Sequence, residues 1–106
     1  MIQSPRASAD LETAVLWIAE ASPPRALRWF DAISVHILKL ANFPLRCPLA
    51  PESGEFLIEI RQTVFGKRRG CYRVLFTVKD ETVHVLHVRH AMRARLTADE
   101  IERLGW

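Results

Sequence analysis

No apolar run in the sequence approaches the roughly 18–20 residues needed to cross a bilayer, so no membrane-spanning helix is expected. The segment Met1 to Asp10 has no apolar core of the signal-peptide kind, which sets the expectation of a cytoplasmic chain. Only two cysteines occur, Cys47 and Cys71. Two are too few for a disulfide framework, and too few for a zinc site without several histidines at ligand spacing. Both are expected to be free thiols. No G-x-x-x-x-G-K-[ST] phosphate loop and no G-x-S-x-G elbow is present, which removes the commonest NTPase and hydrolase signatures. At 106 residues there is no room for two independent cores, so residues 1–106 are expected to form a single domain. What is there is ordinary globular material: 49% hydrophobic and 25% charged, which excludes a disordered chain.

The net charge of +3 is unevenly distributed. Residues 1–55 sum to −1 and residues 56–106 to +4. Between Arg61 and Arg95 there are nine basic residues and two acids, Asp80 and Glu81. A segment of that kind suggests an anionic partner, either nucleic acid or an acidic protein surface. The plainer reading is a solvated basic face.

Ser4-Pro5 reads as an N-cap followed by proline at the first helical position, and Leu11, Ala14, Val15 and Ile18 fall on one face. A helix is expected over about Pro5 to Ala21. Ser22-Pro23-Pro24 repeats the start signal, and Ala26, Phe30, Ile33, Ile37 and Leu40 mark the inner face of a second helix, ended by Asn42, Phe43 and Pro44. Leu16, Trp17, Trp29 and Leu38 lie off both stripes. They either fill the contact between the helices or stay exposed as a groove for a partner. Residues 43–55, with Pro44, Pro48, Pro51 and Gly54, read as an irregular loop.

Strand periodicity follows. Phe56, Ile58, Ile60 and Val64 alternate with Leu57, Glu59, Arg61 and Thr63. Gly66 to Gly70 is a turn. Tyr72, Val74, Phe76 and Val78 then alternate with Arg73, Leu75 and Thr77, and Thr82 to Arg89 is a third, valine-rich strand. Thr97-Ala98-Asp99-Glu100 matches a capping box for a short C-terminal helix ending at Leu104-Gly105. The fold class is therefore α+β: a short N-terminal strand, a helical hairpin packed on a small, mainly antiparallel sheet (β-α-α-β-β-β), and a short C-terminal helix. The polar members of the alternation, Glu59, Arg61, Thr63, Arg73 and Thr77, are expected on an exposed sheet face. Either His87 and Arg89 or His84 and His90 join them, depending on register.

His84, His87 and His90 cannot form one metal site by local spacing. On a strand, i and i+3 point to opposite faces, and His84 and His90 are about 20 Å apart. No metal and no cofactor is expected. Metal-independent cleavage of RNA at a 2′-hydroxyl stays open. Arg61 and Arg73 could supply cations, and His87 or His90 could move protons near neutral pH.

Several stretches are similar to a known family: SPRASADLE at the first helix, PPRALRWFDAI at the second, ANFPLRCPLAPE in the loop, and CYRVLFTVKDETVHVLHVRH followed by AMR. Their order and spacing over about residues 4–96 resemble the RelE/ParE superfamily of toxins from bacterial type II toxin–antitoxin systems. FPLRCPLAPE and VLHVRHAMR are more similar to the ParE-like branch, often labelled plasmid stabilisation proteins. The resemblance implies a RelE/ParE-like fold and a toxin that inhibits DNA gyrase. It also implies a cognate antitoxin that neutralises the toxin in a hetero-oligomer.

RelE-type members instead cut mRNA on the ribosome with basic residues on the sheet. By that resemblance Arg73, with Arg61, Arg89 and His90, would be the catalytic set, although the C-terminal tyrosine common in such nucleases is missing. A third reading is a non-toxic remnant that only binds antitoxin. Target-binding candidates are Arg61, Lys67, Arg68, Arg69, Arg73, Arg89 and Arg93. Antitoxin-binding candidates are Leu16, Trp17, Trp29 and Leu38. Family members usually have a fuller first strand than Met1-Ile2-Gln3.

Overall fold

Ser4 sits in extended backbone (φ −66°, ψ 156°), and its Oγ accepts the Ala7 N–H at 3.0 Å. That satisfies one of the orphan donors of a helix start, and Pro5 follows where its missing N–H costs nothing. Helix α1 accordingly spans Pro5–Ala21, as the sequence predicts. Ser22 then serves two helices at once. Its N–H bonds the Ile18 carbonyl at 3.1 Å, and its Oγ accepts the Arg25 N–H at 3.4 Å. Helix α2, Pro23–Leu38, starts without a linker, so the two helices form a hairpin. The computed structural model describes residues 1–55, 57–67, 70–92, 100 and 103. Of the C-terminal helix expected over Thr97 to Leu104, only Glu100 and Arg103 are among the described residues, and the rest lies outside them.

Four strands, β1 (Ile2–Gln3), β2 (Arg61–Phe65), β3 (Tyr72–Lys79) and β4 (Thr82–His90), form one sheet in the order β1-β4-β3-β2. β1 runs parallel to β4 and the other pairs are antiparallel. Asp80 and Glu81, both at positive φ (52° and 62°), make the tight β3–β4 turn that matches strand twist. The helical hairpin covers one sheet face. Ala7 and Leu11 of α1, Ile33 and Ile37 of α2, and Val74, Phe76, Val83, Val85 and Val88 of the sheet form the main core.

Four expectations need correction. Phe30 is 40% exposed. α2 is rotated so that Trp29, one residue earlier, faces the sheet against Phe65 and Tyr72. α2 gives way at Lys39–Ala41 to a 3-10 turn, which still buries Leu40. β2 begins at Arg61 rather than near residue 56, and its faces are the reverse of those expected. Arg61 pairs with Phe76 and Thr63 with Val74, on the helix side, while Val64 pairs with Arg73 on the far side.

The far face, finally, is not an open polar surface. Residues from the 47–60 segment fold back over it, with Ala50, Ile58 and Ile60 packing on Leu75 and Leu86 as a second small core. The Ala50 N–H bonds the Ile60 carbonyl at 2.8 Å and the Gln62 N–H bonds the Pro48 carbonyl at 3.0 Å, which also covers part of the β2 edge.

Ser4 does more than cap. Its hydroxyl donates to the Leu86 carbonyl at 2.9 Å and its N–H to the Val85 carbonyl at 2.9 Å, fastening α1 to β4. Ser4→Ala should cost about 1–2 kcal/mol, the upper part of the N-cap range, in urea unfolding. A second seam joins α2 to β2, where His36 Nε2 lies 2.9 Å from Thr63 Oγ1. Burial first, and the nearby Lys39 charge second, hold the His36 pKa below its ordinary 6.5. As pH falls below about 6.5, the unfolded chain takes up this proton before the folded one does, so stability falls. His36→Gln should flatten that part of a stability–pH profile measured between pH 8 and about pH 5.

Candidate functional site

Register puts Arg73 of β3 directly opposite Arg89 of β4. Cross-strand neighbours lie about 5 Å apart, and two like charges at that spacing repel. Both are nonetheless buried, at 8% and 4% exposure. Each is met by a carboxylate from outside the sheet. Glu52, 1% exposed, takes Arg73 in a two-pronged pair, Oε2 to Nη1 at 3.0 Å and Oε1 to Nη2 at 2.5 Å. Gln62 Oε1 accepts from Arg73 Nε at 2.9 Å, so all three guanidinium nitrogens are engaged. Glu100 Oε2 takes Arg89 Nη1 at 3.0 Å. Fork-to-fork geometry of this kind is the strongest form of side-chain ion pairing.

The expected neighbour Arg61 is elsewhere. Its guanidinium donates to the Cys47 carbonyl at 2.7 Å and the Leu45 carbonyl at 3.4 Å, with Glu59 3.8 Å away. It therefore braces the proline-rich loop on the side of the sheet opposite to Arg73.

A bulge in β4 decides the histidines. The register shifts between Leu75 and Phe76, because Leu75 pairs with His87 and Phe76 with Val85. Leu86 is the extra residue. Neither set of histidines expected from alternation results. Thr77 pairs with His84, placing His84 on the far face with Arg89, whereas His90 pairs with Tyr72 on the helix side. His87 is turned toward α1, where its Nδ1 lies 2.8 Å from Asp10 Oδ2. Asp10 also accepts the Val88 N–H at 3.0 Å and Arg6 Nε at 3.0 Å. Sequence reading missed Asp10 and Glu52 entirely. Each is an isolated acid on an otherwise ordinary stretch, and only the chain's return path gives it a partner.

His90 Nδ1 accepts the Met92 N–H at 3.1 Å, so in the neutral ring the proton is on Nε2. That nitrogen is then a donor rather than a base. The four nuclease candidates Arg61, Arg73, Arg89 and His90 do not converge: two are ion-paired on the far face and two lie on the helix side. Lys67 is exposed in the β2–β3 turn. Arg68, Arg69 and Arg93 lie outside the described residues. Cys47 and Cys71 are free thiols. Among the described residues no group of three or more potential ligands is placed to hold a metal ion, and no helix is long and apolar enough to cross a membrane.

The apolar candidates also separate. Leu16, Trp17 and Leu38 are exposed, at 62%, 66% and 65%. Trp29 is half-buried, edge-on to Tyr72 with ring centroids 5.0 Å apart. Leu38 ends α2, remote from Trp17 in the last turns of α1. Trp17 instead lines, together with Tyr72 and His90, two clefts of about 530 and 420 Å³. Tyr72 and His90 are edge to face at 5.1 Å, and burial raises the Tyr72 pKa above its usual 10.0.

A helical hairpin packed on a four-stranded mixed sheet is the RelE/ParE-like α+β architecture. The family model described as ParE toxin of type II toxin-antitoxin system, parDE, matches residues 1–95, and the chain belongs to this family. It is the toxin type of a type II toxin–antitoxin system, a class that implies an antitoxin partner. No curated protein matches the chain.

Removing one member of the Arg73–Glu52 pair strands the other as a buried charge. Arg73→Met and Glu52→Leu should each destabilise by about 3–5 kcal/mol, while the double change recovers much of that loss. Chemical denaturation of the three variants measures it. Additive losses in the double variant would show that the pair is not coupled.

Proposed function

We propose that this toxin acts by binding DNA gyrase, without catalysis of its own, and that a cognate antitoxin holds it inactive in a cytoplasmic hetero-oligomer. Membership of the ParE family supports the target. One structural observation favours a binding mechanism over the RelE-like nuclease. The arginines that would have to stabilise a scissile phosphate, Arg73 and Arg89, already have carboxylates on them, and His90 lies across the sheet. Cationic catalysis of phosphoryl transfer needs those donors aimed at developing charge. Filled by Glu52 and Glu100, they are parts of the fold.

The exposed side chains of the helical hairpin, Leu16, Trp17, Leu27, Phe30, Val35 and Leu38, support the antitoxin half of the reading. Apolar surface of that kind suits an antitoxin segment that folds on binding.

Expression without antitoxin is the decisive experiment. The expected result is a DNA-damage response, inhibited gyrase supercoiling and intact mRNA. Rapid translation arrest with cleaved mRNA would establish the nuclease instead, and unaffected growth would establish a non-toxic antitoxin binder.

A further inference from the structure

One end of the sheet carries a cleft that neither core nor the outer side of the helical hairpin uses. Its volume is about 540 Å³, and it is lined by the 41–46 segment and by the β3–β4 turn. Phe43 and Leu45 belong to the first segment, Val78 and Glu81 to the second, and Met1 joins them. Phe43 is 74% exposed and Leu45 65%, and neither enters an apolar cluster of the interior. Leu45 and Val78 also line a neighbouring cleft of about 520 Å³ with Ile58, so apolar surface continues past Leu45. Arg61 and Lys79 of that second cleft are already engaged.

The backbone presents Phe43 against its own preference. Its φ of 53° and ψ of 52° are left-handed, where a bulky side chain is an outlier. Strain of this kind clusters where a surface has work to do, because nothing in packing alone favours it. Arg46 lies over the exposed ring, 5.3 Å from its centroid, which sets the guanidinium at the rim of the cleft.

The charges decide the occupant. Arg46 and Glu81 both line the cleft and both are exposed. Neither forms an ion pair, with the other or with any described residue. A partner surface of one sign would satisfy one of them and repel the other. An apolar centre with an unpaired cation on one segment and an unpaired anion on the other is its own complement. A two-fold axis set across the line from Arg46 to Glu81 places Arg46 of each copy on Glu81 of the other. That is the reciprocal contact of an isologous dimer, the commonest kind of oligomer. We propose that this cleft is the interface between two copies of this chain, with Phe43 and Leu45 packed at its centre and two reciprocal Arg46–Glu81 ion pairs. The side chains are distinct from those assigned to the antitoxin, and the argument uses neither antitoxin nor gyrase.

The test is sedimentation velocity of the purified full-length chain over a wide range of concentration. The wild type should pass from monomer to dimer as concentration rises. Arg46→Glu and Glu81→Arg each set like charges face to face, so each should weaken dimerisation. Mixed in equal amounts, the two variants should associate as a heterodimer, because every facing pair is again opposite in sign. Phe43→Asn should weaken dimerisation roughly 30-fold, the threshold of an interface hot spot. Its urea midpoint should not fall, since Asn suits the left-handed backbone better than Phe.

A wild type that stays monomeric at every concentration overturns the proposal. So does a dimer indifferent to both charge reversals, or a mixture of the two variants that does not associate. A monomeric chain whose Phe43 is shielded only by antitoxin makes the cleft an antitoxin site and overturns it as well. Gyrase inhibition is a separate measurement, so failure of either reading leaves the other standing.

Discussion

Arg73 and Arg89 sit opposite each other in the two central strands, and the sheet could not keep them buried there unaided. Two like-charged side chains on directly opposite residues repel, and burial would strengthen the repulsion. The chain resolves the conflict by bringing a carboxylate to each from a distant segment. That need draws the 47–60 segment across the far face. Once Glu52 is on Arg73, Ala50, Ile58 and Ile60 lie over Leu75 and Leu86, and a second core closes. The Ser53 hydroxyl accepts the Ile60 N–H at 2.9 Å, which holds the short turn carrying Glu52 in place. The ion pair and the small apolar cluster support each other, since the cluster excludes the water that would otherwise loosen the pair.

The opposite edge of the sheet has a similar economy. β1 is only two residues long and pairs with β4 at His84 and Val85. Beyond it the β4 edge would be bare. Ser4 and Asp10 cover the exposed backbone groups by accepting from the Val88 N–H and donating to the Val85 and Leu86 carbonyls. A short first strand is therefore compatible with a closed edge, because α1 takes over where β1 stops. The bulge at Leu86 is part of the same arrangement. It turns His87 to Asp10 and returns Val88 to the main core.

These two seams separate structure from surface. The far face is occupied by internal ion pairs and a covering loop. Among the described residues, what remains open includes the outer side of the helical hairpin and the cleft lined by Trp17, Trp29, Tyr72 and His90. A toxin that works by adhering to its target needs surface of this sort, and it needs no aligned acid, base and cation. The described basic residues of the second half of the chain accordingly differ in role. Arg61, Arg73 and Arg89 hold the protein together, whereas Lys67 faces outward.

Local chemistry was enough to read much of the fold. Ser4-Pro5 and Ser22-Pro23-Pro24 fix helix starts because capping and proline geometry are satisfied within a few residues. The alternation in Tyr72 to Val78 fixes which side of β3 faces the helices, because the side-chain period of two follows from the backbone itself. The family was legible as a resemblance, carried by short stretches such as FPLRCPLAPE and VLHVRHAMR in their order along the chain. The site was much less accessible. Arg61 and Arg73 looked like partners on one exposed face, but pairing register placed them on opposite sides. The histidines could not be sorted, because a single inserted residue, Leu86, resets the alternation midway along β4. Glu52 and Asp10 carried no pattern at all. A charge is neutralised or left free according to what the rest of the chain brings within about 3 Å of it, and that distance is set by packing between segments far apart in sequence.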